Sequence, residues 1–567
     1  MQDIFIQRFP IIEPITKGWS EDKKYCVTDT DGTKYLLRIT PISRYETRKS
    51  LFSMLERVAA LDMPMCLPIE FGTCNDGVYS IQSWIDGEDL ESVMPLLTET
   101  EQYVLGLKSG EIIKKMHTIP APENQEEWAA RFNRKTDTKI QEYNECGLRF
   151  NGDDYVLAYI EQNRHLLNNR PQCFQHGDYH VGNMMLENDE LKIIDFDRYD
   201  FGDPWEEFNR IVWSAAASPY FATGQLRGYF GGEPPIEFFK LLAFYIASNT
   251  LSSIYWAMPF GQSDLDTMMK QSQDVLEWFD NMRNPVPTWY LKDFHIQWID
   301  GVPYKLLEPY DFSFISKYGK VFKVFDEQGI NVCFGVQNGD KKHFIKFAGA
   351  KPIHFETCNG NAVLAIEWLK SAVSVYQNLE HPTLIKFVSA EEIGGGYVAV
   401  FEWVDAIGIE PLNSPDYMKF MHMPIEMKIR AFEDIVEFHA HAAEIGYVAI
   451  DFYDGSILYD YDNEKVIICD IDFYQKSPYV GEMGMWGSSR FVSPEECTPG
   501  AIMDEITMVY TMGATAFSLF AYGNRSQEAW SLNKALYDVA KQAVSDERSE
   551  RQQSVEQFIA EWRAAQC

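Results

Sequence analysis

Gln175-His176-Gly177-Asp178-Tyr179-His180-Val181-Gly182-Asn183 is followed, after a short apolar stretch, by Ile194-Asp195-Phe196-Asp197. Together they supply an acid, an amide five residues later, and a second acid at the end of an apolar run. Phosphoryl transfer from a nucleotide needs such a set. One carboxylate orients and deprotonates the attacking hydroxyl, while an Asn and a second Asp hold Mg²⁺ on the ATP phosphates. A weaker version recurs about 270 residues downstream, in Ala449-Ile450-Asp451 and Cys469-Asp470-Ile471-Asp472. The chain therefore reads as two phosphotransferase-like units in tandem.

The 567 residues suffice for two large units, each with a substantial core. With 46% hydrophobic and 24% charged residues, the composition is that of ordinary globular protein. No apolar run approaches the roughly 20 residues of a membrane span. Met1-Gln2-Asp3-Ile4-Phe5-Ile6 lacks the basic-then-apolar layout of a signal peptide. Ten cysteines without a C-x-x-C pair indicate neither a disulfide framework nor a zinc site, so a reduced, cytoplasmic setting is expected. The net charge of -34 argues against nucleic-acid and anionic-membrane partners. Residues 1–284 carry 44 acidic and 27 basic side chains and residues 285–567 carry 40 and 23, so each half stands at -17. Such even spreading describes a generally acidic protein better than a trap for polycations.

Asn284-Pro285-Val286-Pro287-Thr288 ends an amphipathic helical run, because prolines stop a helix and stiffen a connector. A linker is expected at 285–290, between domains 1–284 and 291–567. Each half opens β-rich and turns helical. Lys34-Tyr35-Leu36-Leu37-Arg38-Ile39 and His343-Phe344-Ile345-Lys346-Phe347 read as strands carrying a cation near the end. Val78 to Gly87 and Val398 to Ala406 each read as a strand running out into the connection between two lobes. Backbone groups at Ser83 and Ile85, and at Glu402 and Val404, would there meet an adenine edge. From Trp84 to Asp178 is 94 residues and from Trp403 to Asp451 only 48, so the first half holds extra helical sequence able to enclose a small molecule.

The first-half motifs resemble the aminoglycoside phosphotransferase family, which shares the protein-kinase-like fold and includes choline-, homoserine- and sugar-kinase relatives. The fold class so implied is α+β: two tandem bilobal protein-kinase-like domains, each with a β-rich N-lobe and a helical C-lobe, the first with a helical insert. The resemblance makes Asp178 the catalytic base and Asn183 and Asp195 the Mg²⁺ ligands, with ATP and a small-molecule hydroxyl as co-substrates. His176 and His180 are expected to brace the loop. Ser20 either bonds a β-phosphate or is a turn serine. Gly202 to Glu207 either lines the substrate pocket or caps a helix. Arg38 replaces the usual phosphate-binding Lys, with Glu46 and Glu56 as alternative partners from the next helix.

The second half resembles bacterial Ser/Thr protein kinases of the eukaryotic-like type, which implies a protein substrate. Ile315 to Val321 resembles the phosphate-covering loop, placing Gly319 and Val321 over the nucleotide and Lys346 on its phosphates. Glu367 is a doubtful partner for Lys346, since Ala372 stands at the expected position. Asp451 is the implied base. Tyr453 stands where a Lys is usual, Ser456 where the metal-ligand Asn is usual, and Met508 where a supporting Asp is usual. Asp470 is aligned with Asp195 as the metal ligand, with Asp472 as its rival. Glu495 is expected to pair with Arg551. These departures leave two readings: an active protein kinase, or a nucleotide- or partner-sensing pseudokinase that regulates the first unit.

Overall fold

A computed structural model describes residues 3–16, 22–75, 77–327, 329–356, 360–410, 414–481 and 488–566. The chain is mixed α and β and divides into two units, Met1–Asp293 and Phe294–Cys567.

The first unit opens on a five-stranded antiparallel sheet ordered Ile11–Ile15, Lys23–Thr28, Lys34–Thr40, Gly77–Ser83, Pro68–Cys74. Side chains alternate across a strand. Leu37 and Ile39 therefore join Phe5, Phe9, Val27 and Ile81 on one face, which leaves Arg38 to the other. Helix Tyr45–Ala59 buries Leu51, Met54, Leu55 and Val58, one stripe at helical spacing.

The predicted helical insert is present as Glu99–Met116, Trp128–Glu145 and Asp153–Asn163. The first begins at a capping box between Thr98 and Glu101, which satisfies two otherwise orphaned backbone N–H groups. A β-rich lobe is thus followed by a larger helical lobe.

Helix Glu99–Met116 meets helix Pro219–Phe230 along a seam of four glycines. A Cβ on Gly106 would lie 2.2 Å from the Phe221 carbonyl oxygen, and one on Gly110 2.1 Å from that of Gln225. Reciprocally, one on Gly224 would lie 2.2 Å from the Tyr103 oxygen and one on Gly228 2.1 Å from that of Leu107. The two backbones touch directly, so any side chain must spread them. Gly228→Ala is accordingly expected to cost about 1–3 kcal/mol in thermal unfolding, the usual range for overpacking. An unchanged melting temperature would show that the seam can relax.

Residues 285–290, expected as a linker, pack into the first unit. Trp289 and Tyr290 are buried in its core, and the Tyr290 hydroxyl donates to Glu233 at 2.8 Å. Large aromatic side chains just after the two prolines find apolar cover here, and the division between the units falls after Asp293.

The second unit begins with the hairpin His295–Ile299 and Val302–Leu306. A five-stranded antiparallel sheet comes next, ordered Lys320–Phe325, Val332–Asn338, Lys341–Ala348, Gly396–Glu402, Phe387–Ile393, the same strand order as in the first unit. Helices Ile425–Glu444, Glu505–Ala521, Lys534–Ala543 and Val555–Ala564 contribute to its main core. The expected Glu495–Arg551 pair is formed there, buried and bidentate at 2.7 and 3.0 Å. Among the described residues no helix is long and apolar enough to cross a membrane.

Candidate active site

The catalytic loop of the first unit leaves strand Cys173–Gln175 through Gly177, whose φ of +81° belongs to the left-handed region. A Cβ there would also stand 2.0 Å from the Arg198 carbonyl oxygen, so two separate constraints demand glycine. The backbone N–H groups of His176 and Gly177 donate to the buried Glu207 carboxylate at 2.6 and 2.9 Å. His176 is fully buried; its Nδ1 accepts from the Asp178 N–H at 3.3 Å and its Nε2 reaches the Ile194 carbonyl at 3.0 Å. Burial pushes the His180 imidazole down to about 4 despite the nearby Asp178, and its Nδ1 accepts from the Gly182 N–H at 3.1 Å. Both histidines brace the loop.

Asn183 donates its amide nitrogen to the Asp178 carbonyl at 2.8 Å, and its own carbonyl accepts from the Ile194 N–H at 3.0 Å. These bonds bring Asp178, Asn183 and Asp195 together on neighbouring backbone. Asp195 sits at φ +63°, and its carboxylate makes no hydrogen bond or ion pair within the described residues. The Asn183 side-chain oxygen likewise accepts no hydrogen bond among the described residues. Two free hard-oxygen donors fit Mg²⁺, which is usually held by one or two protein groups together with substrate phosphates. No larger cluster of His, Cys, Asp or Glu able to hold a metal occurs among the described residues.

Arg38 differs from expectation in its partners. Glu46 and Glu56 are exposed, and helix Tyr45–Ala59 instead contributes a second cation, Arg48. Asp197 accepts two hydrogen bonds from Arg38 at 2.7 and 3.1 Å and one from Arg48 at 2.9 Å, while Asp22 lies 2.5 Å from Arg48 and 3.4 Å from Arg38. Burial raises the Asp197 pKa, but the two guanidiniums more than reverse it and hold the carboxyl below its ordinary value. Two guanidiniums outrank one helical carboxylate here because the fourth residue of the Ile194-to-Asp197 motif is available to both. Ser20 lies outside the described residues. The Ser83 hydroxyl and N–H are both engaged with Leu67, at 2.8 and 2.9 Å, whereas the backbone of buried Ile85 holds no hydrogen bond among the described residues.

Sequence reasoning missed the surroundings of Asp178. Arg210 Nε lies 3.4 Å and Arg198 Nε 3.8 Å from its carboxylate. Arg198 comes three residues after Asp195 and could have been noticed; Arg210 lies in no motif. Within Gly202 to Glu207, Asp203 accepts the Trp205 N–H at 3.1 Å just ahead of the short helix Glu206–Arg210, a capping bond of the kind expected. Asp203 receives Arg170 at 2.7 and 2.9 Å and the Tyr245 hydroxyl at 2.6 Å, and Glu207 clamps the loop.

In the second unit Gly319 and Val321 stand at the start of the first strand of the sheet, not in the turn that follows it. The turn between the first two strands of its sheet lies between Phe325 and Val332, later than expected. Gly319 permits close approach to the neighbouring strand, since its Cβ would meet the Gln337 oxygen at 2.5 Å. Val321 is buried with Ile345 and Phe347, on the opposite face of the sheet from Lys346. Lys346 contacts Asp470 at 2.6 Å and Asp472 at 2.9 Å. Glu367 is exposed; Tyr376 from the same helix takes its place and donates to Asp472 at 2.9 Å. The Glu402 N–H is used by the Lys386 carbonyl at 2.9 Å, while Val404 has no backbone hydrogen bond among the described residues.

Two observations support aligning Asp470 with Asp195. Asp470 has φ +54°, and the Cys469 N–H donates to the Ser456 carbonyl at 2.9 Å, the counterpart of the Ile194–Asn183 bond. Ser456 itself is fully buried and its hydroxyl finds no partner among the described residues. Met508 is buried in the main core of the unit and makes no side-chain hydrogen bond to the loop among the described residues.

Asp451 differs from Asp178 in conformation and charge. The left-handed residue of this loop is Asp451 itself, at φ +63°, because no glycine precedes it. It has no cation within 4 Å among the described residues, and burial, with Asp470, Glu496 and Asp472, pushes its carboxyl up to about 7. A carboxyl whose pKa is raised by folding binds its proton more tightly in the folded state, so stability falls as pH rises from about 4 to about 7. Asp451→Asn is therefore expected to stabilise the protein at pH 8 by roughly 2–4 kcal/mol and to change little at pH 4, read by denaturant unfolding at both pH values. Equal effects at the two would refute the displaced titration.

Residues 11–239 match the phosphotransferase enzyme family. They form a phosphotransferase-family domain. Among solved structures, similarity extends to a thermostable mutant of aminoglycoside phosphotransferase APH(4)-Ia, at 16% identity and TM-score 0.37, covering 48% of this chain and 98% of that one. A choline/ethanolamine kinase family protein from Mesorhizobium loti shares 16% identity at TM-score 0.38, covering 48% and 91%. The gentamicin complex of APH(2")-IIa shares 17% at TM-score 0.34, covering 47% and 91%. At these scores the likenesses carry no argument about chemistry. No curated protein matches.

Proposed function

We propose that the phosphotransferase-family domain transfers the γ-phosphoryl group of ATP to a hydroxyl of a small molecule, with Mg²⁺. The observation that carries this reading is the convergence of Asp178, Asn183 and Asp195 through the Asn183–Asp178 and Ile194–Asn183 bonds, with the last two keeping oxygen donors free. Asp178 takes the hydroxyl proton, and Asn183 and Asp195 hold the metal. Arg38, held by Asp197, stands ready for phosphate, and Ile85 offers its N–H to the adenine edge. The bound metal neutralises charge developing on the phosphates. The test is label transfer from γ-labelled ATP to panels of small alcohols by the full chain, with and without Mg²⁺. No transfer and no nucleotide binding by the intact protein would end this reading.

For the second unit we propose a protein-kinase-like module that senses nucleotide or a protein partner. Three features support sensing over turnover: the buried Ser456 in place of a metal-ligand Asn, Tyr453 in place of the catalytic-loop Lys, and Asp451 without a cation among the described residues. Lys346 with Asp470 remains as a phosphate and metal site. An active Ser/Thr kinase predicts phosphoserine or phosphothreonine on added protein that survives Asp178→Asn and disappears with Asp451→Asn; that result would replace the sensing reading.

A further inference from the structure

The first unit gathers cations where an acidic chain has least general reason to place them. Arg198 and Arg210 flank Asp178 at 3.8 and 3.4 Å. Arg210 Nε is buried without a hydrogen-bond partner, and Asp178 is its only carboxylate within 4 Å among the described residues. The insert helix Trp128–Glu145 adds Lys135 and Lys139, one turn apart on a single face. Lys135 Nζ lies 3.9 Å from Glu206. Lys139 has no ion pair among the described residues; burial, then the like charge of Lys135 and Arg210, pushes its ammonium down to about 7.

The carboxylates nearby are already committed. Both oxygens of Glu207 hold the loop N–H groups of His176 and Gly177, and Glu206 accepts from Gln175 Nε2 at 3.0 Å. Arg198, Arg210, Lys135 and Lys139 thus share this region with Asp178, Glu206, Glu207 and the flanking Glu142. Arg38 and Arg48, on the sheet and its adjoining helix, are by contrast both paired with Asp197.

We propose that the acceptor of this domain is an anionic alcohol, a small hydroxyl compound that also carries a carboxylate or phosphate, bound by Arg210, Lys135 and Lys139. The inference rests on the proposed phosphotransferase reading and specifies its substrate class. A polycationic amine would meet like charge at Arg210, Lys135 and Lys139, which costs binding energy. An oxyanion would supply the partner that Arg210 and Lys139 lack. The acceptor hydroxyl then gives its proton to Asp178 as its oxygen bonds to the γ-phosphorus. The bond from that phosphorus to the β–γ bridging oxygen breaks, its electron pair leaving on ADP.

The test presents the full chain with γ-labelled ATP, Mg²⁺ and three acceptor panels: hydroxy acids with phosphorylated alcohols, aminoglycosides with choline-type amines, and neutral polyols. Label is expected on the anionic panel, and comparing its two arms separates carboxylate from phosphate recognition. Paired Lys135→Glu and Lys139→Glu changes should raise the KM of that acceptor at least tenfold, with the KM for ATP within about twofold; Lys139→Arg should restore most of the loss. A check of the melting temperature separates misfolding from lost binding. Label only on cationic or neutral alcohols overturns the inference, as does no label on the anionic panel, an acceptor KM indifferent to charge reversal, or a shift in the KM for ATP instead. Absent ATP binding by calorimetry would fell the phosphotransferase reading itself and the acceptor class with it. ATP binding with the wrong acceptor fells only the latter.

Discussion

Asp178→Asn is expected to lower phosphoryl transfer to the small-molecule acceptor by about 10²–10⁴-fold at saturating ATP, the usual contribution of a positioned general base. The substitution keeps the size of the side chain. Loop geometry should survive, because the backbone of residue 178, not its carboxylate, makes the contacts to His176 Nδ1 and Asn183 Nδ2. Melting temperature and the dissociation constant for nucleotide should therefore hardly move. Removing the negative charge also frees Arg210 and Arg198 from their only carboxylate within 4 Å among the described residues. Hence the KM of an anionic acceptor should stay level or fall while kcat collapses. A kcat within tenfold of the parent protein would take Asp178 out of the base role, whatever its position.

Glu495→Ala should produce the largest loss of stability in the second unit, about 3–5 kcal/mol, because it strands a buried guanidinium. Arg551 has no exposed side-chain surface, and Glu495 binds it through both oxygens. What remains after the change is the Ser545, Asp546 and Ile506 carbonyls at 2.7, 3.4 and 3.5 Å and the face of Tyr510 at 4.9 Å, none of which neutralises charge. Arg551→Ala should cost less, since Glu495 keeps Arg548 at 2.6 Å and Thr507 at 3.0 Å. Against a typical total of about 5–15 kcal/mol, the first change should be plain in urea unfolding, with Arg551→Ala as the internal comparison. A cost below about 1 kcal/mol for Glu495→Ala would mean that water reaches the abandoned cation.

Polar motifs were legible wherever their letters stand close in the chain. Asp178, Asn183 and Asp195 are brought together by short-range backbone bonds that the nine- and four-residue stretches already imply. Arg38 and Lys346 were legible as cations on central strands. Their partners were not. A helical carboxylate was expected, yet Asp197 and Asp472 lie 159 and 126 residues away from them in sequence, and only folding compares such distances. Gly319 misled for a related reason: a glycine that serves close strand approach has the same letter as one that covers phosphates. Arg210, Lys135 and Lys139 carry no motif at all, and their relation to Asp178 arises from the way the insert packs.

The glycine seam has a bearing on how this domain could change its taste in acceptors. Ser109, between Gly106 and Gly110, takes the Tyr179 hydroxyl on its carbonyl at 2.7 Å, and Gln225, beside Gly224, reaches the Ser109 hydroxyl at 2.8 Å. The inner insert helix is thereby welded to the residue next to the proposed base, leaving it little room to drift without stalling turnover. Diversification must then fall to the outer helix, Trp128–Glu145, whose solvent-facing positions can be rewritten while the reacting groups stay where they are.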